Sequence, residues 1–255
     1  MHKISAVIIT FNEEKNIGRC LESIKDIVDE IIVLDSFSAD NTEKICKEYN
    51  VKFYQHEFDG HIQQKNRALK LAENDFVLSL DADEALDKTL KEEILKVKKE
   101  FKSDAYYFNR MTYYINKWIR HTDWYPDRKL RLWNKQKGKW GGTNPHDTVI
   151  MQSDTKKMYL RGNILHYSFN SISEHIQQIN KFTDIAAKEL YKKNKRISFS
   201  MIYLKSIWKF FNSFILKLGF LDGYYGYIIC RLSAEAKFLK YIKLKELYKK
   251  KNTYN

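Results

Sequence analysis

The 255-residue chain carries 45 Lys and Arg against 32 Asp and Glu, a formal charge of +13, and is 44% hydrophobic and 15% aromatic. This length suits one large domain or a domain with an appendage, and nine Gly and two Pro exclude collagen-like and proline-rich disordered chains. The positive excess calls for a negatively charged partner, whether nucleic acid, an anionic membrane or a phosphorylated substrate.

Ile4 to Thr10 reads as a strand within an apolar N-terminal run that lacks the basic lead and cleavage site of a signal peptide. Glu14 to Lys25 fits a helix with Ile17, Leu21 and Ile24 on one face, and Glu30 to Asp35 is a second strand. A helix capped by Asp40 or Asn41 runs to about Tyr49, then come strand Val51 to Gln55, helix His61 to Glu73 and strand Phe76 to Leu80. Such β-α alternation predicts an α/β fold with a mostly parallel sheet covered by helices. Ligands of open parallel sheets gather beyond the carboxyl ends of the strands, and here each of those ends carries an acid.

After a helix from about Asp87 to Phe101, strand-like pieces rich in aromatics follow near Ala105, Lys129, Asp147 and Ile164, with turn residues between Gly138 and Pro145. From Ser173 a helical stripe contains Ile176, Ile179, Phe182, Ile185 and Ala186. Residues 196–255 hold twelve Lys or Arg against three Asp or Glu, so most of the charge excess lies there. The expected organisation is therefore an α/β domain over 1–195 and a basic, aromatic-rich helical region over 196–255. Aromatics from Phe199 to Tyr227 interleaved with Lys205, Lys209 and Lys217 fit a peripheral segment on an anionic membrane surface, or else packing on the domain or on a second copy. No apolar run is long enough to span a bilayer. Cys20, Cys46 and Cys230 are too scattered for a disulfide framework or a metal cluster, and read as small buried hydrophobes in a reducing compartment.

Asp81-Ala82-Asp83 directly follows the apolar strand FVLSL. Two carboxylates at that place can hold a ribose hydroxyl and a hard divalent cation, Mg²⁺ or Mn²⁺, shared with substrate phosphates. The string alone also fits a solvated turn. Asp35, ending the second strand, can accept from an imide N–H of a base, while the residues after it suit a helix cap. Trp124, Trp133 and Trp140 could stack on sugars but read first as packing residues.

AVIITFNEEKNI, IIVLDSFSADNT, QQKNRAL and LSLDADEAL, in this order, resemble the family-2 inverting glycosyltransferases of GT-A fold, and most closely the beta-glucosyltransferase-like branch of lipopolysaccharide inner-core assembly (WaaE/KdtX-like). That resemblance covers nearly the whole chain. It implies a Rossmann-like nucleotide-diphospho-sugar domain with an acceptor-side mixed β region and a C-terminal helical appendage. It also implies that Thr10, Phe11, Asn12 and Glu13 border the nucleotide, Asp35 contacts the base, and Lys65 and Arg67 approach the diphosphate. Asp81 would bond the ribose and Asp83 the metal. The implied donor is a UDP-hexose, with UDP-glucose first, and the implied acceptor a lipid-linked glycan at the cytoplasmic face of the inner membrane.

The sequence departs from the family pattern in having Asp35-Ser36 where many members have two Asp, and His146-Asp147 where the closer branch has His-Glu. Asp147 is the candidate general base for the acceptor hydroxyl, the alternative being a loop acid bonded to Arg128 or Arg131. A single-stranded nucleic-acid binder would share the basic, aromatic composition, but acids at the strand ends would repel a polyanion, so no nucleic-acid partner is expected. A nucleotide-sugar protein without transfer activity is the third reading.

Overall fold

The computed structural model describes residues 2–143 and 146–253, and the side chains of Thr143, His146 and 251–253 lie outside that description. In chain order the elements are β1 (Ile4–Thr10), α1 (Ile17–Ile24), β2 (Glu30–Asp35), α2 (Thr42–Glu48), β3 (Lys52–Gln55), α3 (His61–Leu71), β4 (Phe76–Asp81), β5 (Glu84–Leu86) and α4 (Lys88–Lys99). There follow β6 (Ala105–Tyr114), β7 (Lys117–Trp118), β8 (Asp127–Asn134), β9 (Gly138–Thr143), β10 (His146–Met151), β11 (Lys157–Phe169), α5 (Ile172–Lys192), α6 (Phe199–Phe211) and α7 (Gly223–Thr253).

Two compact units share the chain, Met1–Met111 with Asp127–Tyr167, and Thr112–Pro126 with Ser168–Asn255. The division differs from the one expected at residue 195. The hairpin around Ile119 and the start of α5 belong with the C-terminal helices because Tyr114, Ile119, Phe169 and Ile229 form one buried cluster. Asp222 reinforces it by accepting from the His121 amide at 2.8 Å and from Lys117 Nζ, through its carbonyl, at 2.7 Å.

In the first unit the sheet runs β3-β2-β1-β4-β8-β6-β11-β5. Pairing is parallel through β3, β2, β1 and β4 and antiparallel from β4 to β8 to β6, which is the GT-A arrangement. The apolar strands β1, β2 and β4 are buried on both faces, as a helix-covered parallel sheet requires. Ile17, Cys20, Leu21 and Ile24 recur at helical spacing and pin α1 to the core beneath it. Asp87 caps α4 by accepting from the Leu90 amide at 2.8 Å, and also accepts from the Asn163 amide at 3.0 Å, so one carboxylate starts the helix and fixes it to β11. Gly162 makes that approach possible, because at φ +103 a Cβ there would collide with the Leu90 backbone.

α1 begins later than its periodicity predicts. Asn12 takes φ 55, and residues 12–14 hydrogen-bond across to the β2–α2 loop instead of winding. On α5, Ile176, Phe182 and Ile185 are exposed while His175, Thr183 and Ala187 are buried, so the apolar stripe is not the packed face.

Candidate active site

The register brings the acids to one edge. Asp35 pairs with Thr10 on one side of β1, and Asp81 with Ile9 on the other, so the two lie two strand spacings apart, about 10 Å. Arg131 lies one residue past the pairing of Leu78 with Leu132, which carries it alongside the end of β4.

Asp81 stands between two cations. Its Oδ1 is 2.7 Å from Lys65 Nζ and its Oδ2 2.9 Å from Arg131 Nη2. Burial alone would raise the Asp81 pKa, but the Lys65 ammonium and the Arg131 guanidinium outweigh it and hold the carboxyl well below the usual carboxylate range. Arg131 also reaches Glu84 Oε1 at 3.1 Å, and Glu84 Oε2 accepts from the Asp81 amide at 3.0 Å. Burial would lower the Arg131 pKa, yet Glu84 and Asp81 raise it further. The Arg131 Nε and Nη1 donors, though buried, meet no acceptor among the described residues, an uncommon deficit that a phosphate oxygen would fill.

Lys65, on α3, is 5% exposed and serves two acids: Asp147 Oδ2 lies 2.7 Å from the Nζ that also holds Asp81. Its ammonium sits 4.4 Å from the centre of the Trp140 ring. Asn66 fixes the neighbouring hairpin, donating to the Trp140 carbonyl at 2.9 Å and accepting from its amide at 3.0 Å.

Asp83 faces a different neighbour. Because Glu84 pairs with His166 across β5 and β11, His166 Nε2 comes to 3.1 Å from Asp83 Oδ2. The next residue, Tyr167, donates its amide to the Asp83 carbonyl at 3.0 Å and carries the Arg19 guanidinium 3.7 Å above its ring centre. Burial raises the Glu13 pKa, a hydrogen bond from Asn16 opposes the rise, and the charges of Asp83, Asp40 and Asp81 add to it.

The β1–α1 and β2–α2 loops are laced together. The Asn12 amide donates to Ser38 Oγ at 2.8 Å, Asn12 Oδ1 accepts from the Ala39 amide at 2.9 Å, and the Glu13 amide donates to Thr42 Oγ1 at 2.8 Å. Beneath them Asp35 is wholly buried and accepts from Thr10 Oγ1 at 2.8 Å, the Ser38 amide at 2.7 Å and Ser38 Oγ at 2.5 Å. Above them stand two exposed rings, Phe11 at 60% and Phe37 at 54%. Phe37 takes φ 59, a costly backbone state for a bulky residue.

Of the residues singled out from sequence, Lys65, Asp81 and Asp147 form one cluster, with Asp83 and Glu13 beside it. Thr10, Asn12 and Asp35 make the loop platform, with Phe11 at its surface. Arg67 lies outside the cluster, gripping Asp59 through two bonds of 3.1 and 2.9 Å. Asp147 bonds Lys65 rather than Arg128 or Arg131, and His146 falls outside the described side chains. Trp133 and Trp140 are packed against each other edge to face, and Trp124 packs among Tyr114, Phe169 and His175, as the packing reading expected. All three cysteines are buried and free. Sequence reasoning gave Glu84 and His166 no place in the site. Glu84 directly follows Asp83 and could have been read with it, whereas His166 is brought in only by the β5–β11 register.

This sheet order and its acidic edge define a glycosyltransferase-type α/β domain. The pattern of Glycosyl transferase family 2 matches residues 5–164, and the chain belongs to that family. An "Uncharacterized glycosyltransferase" of Rickettsia felis is 35% identical over 99% of this chain and 93% of its own. The "Lipopolysaccharide core biosynthesis glycosyltransferase LpsC" of Rhizobium meliloti is 27% identical over 94% of this chain and 91% of its own. The crystal structure of S. aureus TarS 1-349 in complex with UDP-GlcNAc aligns with a TM-score of 0.45 at 16% identity, covering 97% of this chain and 92% of that one. No helix among the described residues is long and apolar enough to cross a membrane.

Proposed function

We propose that the chain is a metal-dependent, inverting hexosyltransferase that moves one hexose from UDP-glucose to a lipid-linked glycan of the lipopolysaccharide inner-core type. The observation that carries this reading is the shared Lys65, which ties the Asp-X-Asp carboxylate Asp81 to the base candidate Asp147 at the carboxyl edge of the parallel sheet. Membership in family 2 supports sugar transfer, and the similarity to a protein named for lipopolysaccharide core biosynthesis supports the acceptor class.

The residues at Asp83 fit a divalent cation. Asp83 offers carboxylate oxygens, and His166 an imidazole nitrogen 3.1 Å away. Among the described residues no three His, Cys, Asp or Glu side chains gather as a metal cage, so phosphate oxygens of the donor would complete the shell, as is common for Mg²⁺ and Mn²⁺. When bound, the ion supplies Lewis-acid stabilisation of the departing diphosphate.

The protein's own groups do the rest. Lys65 and the two unpartnered donors of Arg131 would meet the diphosphate oxygens. As the Lys65 ammonium exchanges its bond to Asp147 for one to a phosphate oxygen, Asp147 Oδ2 is released to accept the proton of the acceptor hydroxyl. Attack from the face opposite the diphosphate then inverts the anomeric carbon without a covalent intermediate. Phe11 and Phe37 wall the base, and Asp35 accepts its imide N–H once the Ser38 hydroxyl rotates away. A panel of nucleotide sugars offered with a lipopolysaccharide-core acceptor tests the assignment. Inverted glucosyl product from UDP-glucose supports it, and turnover confined to another donor or a product of retained configuration rejects it.

A further inference from the structure

The second unit turns large apolar side chains outward. On α6, Leu204, Ile207, Trp208 and Phe211 recur at helical spacing and are 60, 65, 59 and 44% exposed. The opposite face of the same segment carries Ile202, Ser206 and Ser213 inward, where Ser206 Oγ donates to the Ala234 carbonyl of α7 at 2.7 Å and Ser213 meets Asp123. Apart from Ile202, the inward groups named are small and polar, while four large apolar side chains face solvent. A contiguous stripe of this kind marks an interaction surface.

Beside the stripe stands a group of lysines. Lys205 of α6 and Lys240 of α7 both approach the Tyr241 ring, at 5.9 and 4.7 Å from its centre, and Lys237 lies one turn earlier on α7. Arg231 and Lys243 on the same helix pair with Glu235 and Asp184, but among the described residues no carboxylate pairs with Lys205, Lys237 or Lys240. Burial, and then the nearby charges of Lys237 and Lys205, lower the Lys240 pKa.

We propose that this face docks on an anionic phospholipid bilayer, with the α6 stripe entering the acyl boundary and Lys205, Lys237 and Lys240 held by phosphate headgroups. Charge decides between a bilayer and a second copy. A two-fold contact through this stripe would bring two sets of unneutralised lysines together, whereas an anionic surface neutralises one set. The inference stands on the second unit alone and does not depend on the transfer chemistry.

Flotation of the full-length protein with vesicles of phosphatidylcholine, or of phosphatidylcholine with an equal amount of phosphatidylglycerol, tests it. The unaltered protein should float with the anionic vesicles only. The triple variant Lys205→Ala, Lys237→Ala, Lys240→Ala should partition about 100-fold less, and Leu204→Glu with Trp208→Glu should lose flotation while keeping the circular dichroism spectrum. Equal partition onto both vesicle types, no flotation with either, or variants that float like the parent would overturn the proposal. So would sedimentation showing a dimer that Leu204→Glu with Trp208→Glu dissociates while vesicle binding stays unchanged.

Discussion

Lys65 and Asp147 lie 82 residues apart in the chain and meet as a 2.7 Å ion pair. The pair joins α3 to the β9–β10 hairpin, and the Asn66 bonds to Trp140 hold the same two elements in register. The position of Asp147 is thus set by the Lys65 cation, and in the proposed mechanism donor binding and release of the base candidate would be linked through that one ammonium group.

Replacing Asp147 by Asn keeps the shape and removes the proposed base. Transfer should fall by about two to four orders of magnitude, the range for a lost general base, while donor affinity measured by calorimetry stays within a few fold. Unchanged transfer would place the base on another residue.

Glu84 is buried and holds both Arg131 and the Asp81 amide. Glu84→Gln leaves the guanidinium one carboxylate short in a low-dielectric setting, and breaking a buried pair in this way costs about 3–5 kcal/mol. Urea unfolding should show that loss. A midpoint equal to the parent's would mean that Arg131 finds its compensation elsewhere.

The parallel half of the fold was legible because its strands are short apolar runs ending in acids, and Asp35, Asp81 and Asp83 come to one edge by strand order alone. The division of the chain was not legible. Hydrophobic periodicity on α5 and α6 marks helices correctly, yet Ile176 and Trp208 face outward, and periodicity does not say which side of a helix is covered. His166 escaped notice for a related reason, since an antiparallel return of more than 80 residues sets its place beside Asp83.

In the second unit His175 is buried among Tyr114, Trp124 and Phe169, and its Nδ1 lies 3.0 Å from the Tyr114 hydroxyl. Burial pushes its pKa down from 6.5 to about 4. The unfolded chain therefore binds a proton that the folded one refuses between these values. The contribution to stability is complete above pH 6.5 and is lost as pH falls toward 4, amounting to about 3 kcal/mol. Unfolding free energies measured from pH 7 to pH 4 should fall accordingly, and His175→Gln should flatten that part of the profile. A parent profile with no slope attributable to His175 would contradict the account.

The central claim is that Asp83 brings a divalent cation to the diphosphate of an activated sugar. Its most direct measurement is nucleoside diphosphate release from UDP-glucose in the presence of acceptor, with and without EDTA, for the parent protein and for Asp83→Asn. The account predicts turnover that EDTA abolishes and added Mg²⁺ or Mn²⁺ restores, and an Asp83→Asn protein that folds normally yet stays inactive at every metal concentration. Full turnover by Asp83→Asn, or by the parent in EDTA, would contradict it.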